Sequence, residues 1–141
     1  MGYHPNSVIN FLPDKAIKEV HHLDFGDVIF LDKTIVTEIK EGITYGWEKG
    51  LEVISLAENY YGKDFYVNYL ANRIYDYAVI AQDWNKFFEQ NRQLRSFSIV
   101  THGKTGTTNI AIERLFYKEG NIMHFTDLKT ALEYTGNLPY S

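Results

Sequence analysis

The sequence predicts an α/β domain whose core is a five-stranded mixed sheet. In it, an N-terminal antiparallel hairpin leads into parallel βαβαβα, packed with about four helices. Three observations predict this class. Two β-branched runs are joined only by Asp32-Lys33, a connection short enough to force an antiparallel pair. Beyond Gly42, segments of helical period alternate with strand-like segments, the order that gives parallel strands. Residues 65–71 are almost continuously apolar, as a strand covered on both faces should be.

Residues 1–15 read as a tail, punctuated by His4-Pro5-Asn6-Ser7 and Pro13-Asp14, though residues 8–12 are apolar enough to dock as an arm or short strand. The domain proper spans 16–136, and 137–141 is a second tail. Residues 17–31 read as extended, interrupted at Gly26-Asp27 by a bulge or tight turn. Residues 34–40 alternate Ile35, Thr37 and Ile39 against Val36, Glu38 and Lys40. Thr44 is placed to cap a helix whose stripe is Trp47, Leu51, Ile54, Glu58 and Tyr61, widened by Val53, Ala57 and Tyr60, with Gly62 as its stop. Residues 65–71 form the central strand. The polar, aromatic stretch 72–77 is its exit loop, offering Asn72, Arg73, Tyr75, Asp76 and Tyr77. Gln82-Asp83 opens a helix with Trp84, Phe87 and Phe88 on its inner side. Residues 94–101 are a strand and 102–108 a turn-rich loop. A helix over 109–117, a strand over 122–125 and a helix capped by Thr126 complete the order.

Composition removes several function classes. The 141 residues, 45% hydrophobic, suffice for one packed domain, and no repeat or linker marks a second. The net charge of −4 and the lack of a basic stripe argue against nucleic acid. The absence of cysteine removes disulfides, thiolate metal sites and a Cys nucleophile. His21 and His22 are adjacent on a strand, point to opposite faces and cannot share a metal; no metal or other cofactor is expected. No apolar run matches a membrane span, and the N-terminus lacks signal-peptide character, so a cytoplasmic location is expected. The Gly103-Lys104-Thr105-Gly106-Thr107-Thr108 loop is not a phosphate loop, because its lysine precedes the second glycine.

Several stretches resemble the STAS domain, the fold of bacterial anti-sigma-factor antagonists, and more narrowly a branch of small bacterial STAS-like proteins. They are the Glu38-Ile39-Lys40-Glu41-Gly42 hairpin end, the Tyr61-Gly62-Lys63 stop, and the Asn72-Arg73-Ile74-Tyr75-Asp76-Tyr77 loop. The Ser98-Ile99-Val100 strand, Ile112-Glu113 and the Phe125-Thr126-Asp127-Leu128-Lys129-Thr130-Ala131 ending add to them. The resemblance implies the fold and a non-enzymatic, regulatory or ligand-binding character. It carries over no functional residue. The antagonists place a phosphorylatable Ser after the strand equivalent to 65–71, and here no Ser or Thr lies between Asp64 and Arg95.

The chemistry expected from the residues is convergence at one sheet edge. Strands 65–71 and 94–101, if parallel, end side by side, where open α/β sheets bind ligands. That edge carries Asn72, Arg73, Tyr75, Tyr77, His102, Lys104, Thr105 and Thr107, the last four within the stretch between Glu89 and Glu113 that has no acidic residue. The leading expectation is therefore a non-catalytic module contacting a protein partner or a small anionic ligand there, as a monomer or homodimer. Two alternatives stand beside it: a carrier of an apolar or lipid-like ligand under the helix near Trp84 and Phe88, and an enzyme using His102. Glu38 and Glu41 are expected at the exposed hairpin end, far from that edge.

Overall fold

Asp24-Phe25, inside the run expected as one extended segment, is where the chain first turns back. The computed structural model describes residues 2–118 and 120–140; Met1 and Ser141, the outermost residues of the two expected tails, lie outside them. β1 (Glu19–Leu23) and β2 (Gly26–Leu31) pair antiparallel with Leu23 opposite Gly26. β2 then pairs antiparallel with β3 (Thr34–Ile39) across the expected Asp32-Lys33 turn. The N-terminal unit is thus a three-stranded meander, and the expected five-stranded sheet has six strands. Gly26, expected at a bulge or tight turn, directly follows the Asp24-Phe25 turn and makes a close approach: at φ +152° it lies against β3, where a Cβ would sit 2.6 Å from the Glu38 carbonyl oxygen.

The rest of the sheet is parallel. β5 (Asn68–Arg73) joins β3, β7 (Ser96–Thr101) joins β5, and β8 (Ile122–Phe125) joins β7, giving the order β1-β2-β3-β5-β7-β8. A separate two-stranded parallel sheet pairs β4 (Thr44–Tyr45) with β6 (Ala78–Val79). This small sheet explains why Thr44 does not cap the following helix. Its backbone is committed to β6, and α2 (Trp47–Tyr61) begins after Gly46.

Helices cover both faces of the large sheet. On one face lie α1 (Val8–Phe11), the 3-10 turn Asp14–Ala16 and α5 (Leu128–Tyr134), over Ile29, Leu31, Val36, Leu70 and Val100. Val8 and Leu12 are buried there, so the apolar part of the N-terminal stretch is docked onto the sheet. Asn137 is also held down, its side chain bonded to the Thr34 hydroxyl at 2.8 Å. On the other face lie α2, the 3-10 turn Ala81–Asp83 with α3 (Trp84–Glu89), and α4 (Ile110–Phe116). α2 buries Val53 and Ala57, whereas Leu51, expected in its inner stripe, is 40% exposed. The six strands alternate between these two apolar layers, which is why residues 67–74 are buried almost without interruption.

Candidate functional site

β5 and β7 do end side by side, with Asn72 opposite Val100 and Arg73 opposite Thr101. Consecutive strand residues point to opposite faces, however. Asn72 and Arg73, grouped together in the sequence reading, therefore serve two separate environments. The strand also runs two residues further than its apolar stretch, so both side chains are buried, Asn72 at 0% and Arg73 at 3% exposure.

Asn72 is the hub of a polar chain on the α1/α5 face. Its Nδ2 donates to the Asn6 carbonyl at 2.9 Å and to Glu38 Oε2 at 2.8 Å. Its Oδ1 is therefore the acceptor of the 2.8 Å contact with His102 Nε2, which fixes that nitrogen as the protonated one. Glu38 also accepts from the Ser7 hydroxyl at 2.6 Å and from the Val8 N–H at 2.9 Å. Burial pushes the Glu38 carboxyl up, and the donors from Ser7, Val8 and Asn72 pull it partly back. Burial lowers His102, helped by His4 nearby. Glu38 was expected to be exposed and remote. It is 7% exposed and bonded to the hub, because β3 runs parallel to β5 and ends at the same edge. Glu41 is exposed but reaches that edge too, accepting from the Asp76 N–H at 3.3 Å.

Arg73 faces the opposite way, toward α2, α3 and α4. Its Nη2 donates to Glu113 Oε2 at 2.6 Å, and both side chains are nearly sealed from solvent. Burial works to strip the guanidinium of its charge, but Tyr77 and Glu113 more than restore it, so it stays cationic. Burial raises Glu113, against the pull of Arg73 and of a hydrogen bond from Trp84. The Tyr77 ring lies under the guanidinium, 5.4 Å from ring centroid to Cζ. Gly106 packs on the same side chain: at φ +87°, a Cβ there would fall 2.5 Å from the Arg73 Cβ.

Above this ion pair is a half-open cavity of about 100 Å³ between α2, α3, β6 and the sheet. Val53 and Ile54 of α2, Phe87 of α3, and Leu94 and Phe97 form apolar walls. Gly50 lies in its wall on α2, and Arg73, Glu113, Asp83, Tyr45, Tyr69 and Tyr77 supply the polar lining. Trp84 stands at the centre of the adjoining aromatic cluster, 4.9 Å from Phe97 and 5.1 Å from Tyr117 between centroids. Burial raises the Tyr45, Tyr69 and Tyr77 hydroxyls, which keeps all three protonated at neutral pH. Two polar contacts hold α3 against α2. The Asp83 carboxylate accepts from the Trp47 N–H at 2.8 Å, and Arg92 pairs with Glu58.

Of the residues expected at the strand edge, Asn72 and His102 belong to the first network, and Arg73 and Tyr77 to the cavity. Tyr75 is exposed and packs edge-on against His4. Lys104 and Thr107 are exposed and Thr105 half-buried, on the loop before α4. His102 and Thr101 form no nucleophile–base pair, because the Thr101 hydroxyl instead meets His124 Nε2 at 2.8 Å. Among the described residues no cluster of three or more His, Asp or Glu side chains is placed to hold a metal, and no helix is long and apolar enough to cross a membrane.

Sequence reasoning missed Glu113. Its signal was a carboxylate at a position that helical spacing from Ile110 turns inward, beside a strand carrying an otherwise unpaired arginine. Compared with protein-family models, with curated proteins and with solved structures, the chain gives no match.

Proposed function

We propose that this chain is a non-catalytic binding module with a STAS-like fold, and that its ligand is a small, mainly apolar molecule seated between α2 and α3. The cavity above Arg73 carries this reading. Protein interiors leave few voids larger than a water molecule, and cores are otherwise packed to crystal-like density. A void of about 100 Å³ walled by Val53, Ile54, Phe87, Leu94 and Phe97 is therefore a feature to be explained. Its apolar walls forgo dispersion contacts with other protein atoms. A ligand that fills it regains those contacts.

The volume bounds the ligand. It is smaller than the roughly 150 Å³ apolar cavity known to take benzene. A single ring or short chain fits with modest outward movement of α3, and a full acyl chain does not. The STAS-like assignment rests on the resemblance of the hairpin end, the 72–77 loop and the C-terminal ending, and on a mixed sheet whose later strands alternate with helices. A regulatory role follows if ligand entry changes how α3 sits on α2, since α3 is held there by Asp83 and Arg92.

Titration with toluene, followed by the fluorescence of Trp47 and Trp84, tests the proposal. Saturable quenching is expected, with amide shifts concentrated in α2, α3 and β6. A linear, unsaturated response up to the solubility of toluene would remove the cavity as a ligand site.

A further inference from the structure

We propose that the ligand of this cavity carries a neutral hydrogen-bond acceptor, a carbonyl-type oxygen on a small ring or short chain, to which the Arg73 Nε–H donates. The inference rests on the cavity being a ligand site, as proposed above, and adds the chemistry that the site selects.

Arg73 lines the cavity and is 3% exposed. Its Nη2 is taken by Glu113 at 2.6 Å and its Nη1 reaches the Thr108 carbonyl at 3.4 Å. Its Nε is buried and has no hydrogen-bond partner among the described residues. A buried donor without an acceptor is costly and uncommon in folded proteins. Of the polar groups around it, Tyr77 lies in hydrogen-bond reach of the guanidinium, and the others are engaged elsewhere. Tyr69 meets the Thr37 hydroxyl at 3.0 Å, with Tyr45 in hydrogen-bond reach of Tyr69. Glu113 is held by Arg73 and by Trp84. The Nε–H is thus a strong buried donor that no acceptor in the wall meets at hydrogen-bond geometry, with the Tyr77 hydroxyl the nearest candidate.

Charge decides between a neutral acceptor and an anion. Glu113 already balances the guanidinium at 2.6 Å. The three neighbouring tyrosines are neutral, because burial raises their hydroxyls. A carboxylate entering here would place two anions on one buried cation, with no further positive charge lining the cavity. A ketone, ester or amide oxygen takes the same N–H without that penalty.

The test is an NMR titration of the full, isotope-labelled chain with toluene, acetophenone and benzoate. Acetophenone should bind about tenfold more tightly than toluene, the ratio expected for one net hydrogen bond. It should bind more tightly than benzoate as well. Acetophenone, but not toluene, should move the Arg73 Nε–H resonance downfield. In Arg73→Met/Glu113→Leu, which replaces the ion pair by apolar groups of similar size, the preference for acetophenone over toluene should vanish. Equal affinities for toluene and acetophenone in the native chain would overturn this inference and leave the cavity reading intact. A preference for benzoate, an unmoved Nε–H, or a preference that survives the double substitution would each overturn it too. Failure of both toluene and acetophenone to saturate would overturn the cavity reading and this inference together. The Nε–H shift is read in the native chain, so the test stands even if the double variant does not fold.

Discussion

Arg73 and Glu113 form a buried ion pair between β5 and α4, and the two ways of removing it should have opposite effects. Arg73→Met alone leaves Glu113 buried without its cation and should cost about 3–5 kcal/mol in urea denaturation. Arg73→Met/Glu113→Leu should fall within about 1 kcal/mol of the native chain or exceed it, because a well-packed apolar pair avoids desolvating two charges. Equal losses in the two variants would mean that the guanidinium's packing, rather than its charge, dominates. Glu38, on the other face, carries the pH dependence. Burial raises its carboxyl above the ordinary value, so the native state binds that proton more tightly than the unfolded chain does. Its contribution is full below the unfolded value of 4.5 and is lost as pH rises through the folded value. Gln at this position keeps an oxygen for Val8 and Asn72 and an amide for the Ser7 hydroxyl, yet cannot titrate. Glu38→Gln should therefore gain stability relative to the native chain as pH rises from about 4 to 7. A pH-independent difference would exclude Glu38 as the titrating group. His102 works in the opposite sense: lowered by burial and by His4, it adds stability above 6.5 that is lost as pH falls through its folded value.

At the scale of the element, the strands and helices were legible wherever local pattern and tertiary setting agree. The Asp32-Lys33 turn, the helix ending at Gly62 and the strand Ile122–Phe125 all stand where turn chemistry and periodicity put them. Two failures share one cause, a long-range partner that overrides the local signal, whereas the last helix differs only locally, capped by Asp127 rather than Thr126. Asp24-Phe25 makes a turn because β1 and β2 both find antiparallel neighbours, and no local sequence rule identifies that neighbour. Thr44 is drawn into β4 by β6, more than thirty positions away in the chain. The site was only half legible. The residue types at the strand edge were right, but their division between two faces depends on where β5 ends. Two residues of extra strand change the grouping of Asn72 with Arg73 into a separation. α2 supplies an element-scale prediction. Gly50 sits inside a helix, where glycine costs roughly 0.5–1 kcal/mol relative to alanine. A Cβ there would meet nothing nearer than the Tyr45 hydroxyl at 4.0 Å. Gly50→Ala should therefore raise stability in thermal or urea denaturation by roughly 0.5–1 kcal/mol, while the methyl group narrows the cavity and weakens toluene binding. A stabilised variant with undiminished toluene affinity would show that the ligand does not reach the α2 wall.

For the whole molecule, the two faces of the sheet differ in how they are closed. The α1/α5 face is filled by a continuous apolar cluster from Val8 to Leu132 and bound together by the Glu38–Asn72 hub. The opposite face is closed over the cavity by α2 and by short elements whose apolar anchor is the aromatic cluster around Trp84 and Phe87. The β4–β6 sheet has two residues per strand, α3 has six residues, and the main polar ties to α2 are Asp83 to the Trp47 N–H and Arg92 to Glu58. Local opening free energies in a folded protein range from near zero up to the global value, and they are lowest where few apolar contacts would be lost. Residues 78–92 should therefore open as a unit well below global unfolding, and this is the movement that admits a ligand. Native-state hydrogen exchange checks it. Amides of β6 and α3 should exchange with a common free energy whose denaturant slope is smaller than that of global unfolding, while those of β3, β5 and β7 exchange only through global unfolding. Saturating acetophenone should slow both groups by the same factor, because neither the locally opened state nor the unfolded chain binds it. Uniform protection across both groups without ligand would mean that the cavity opens only when the whole sheet does.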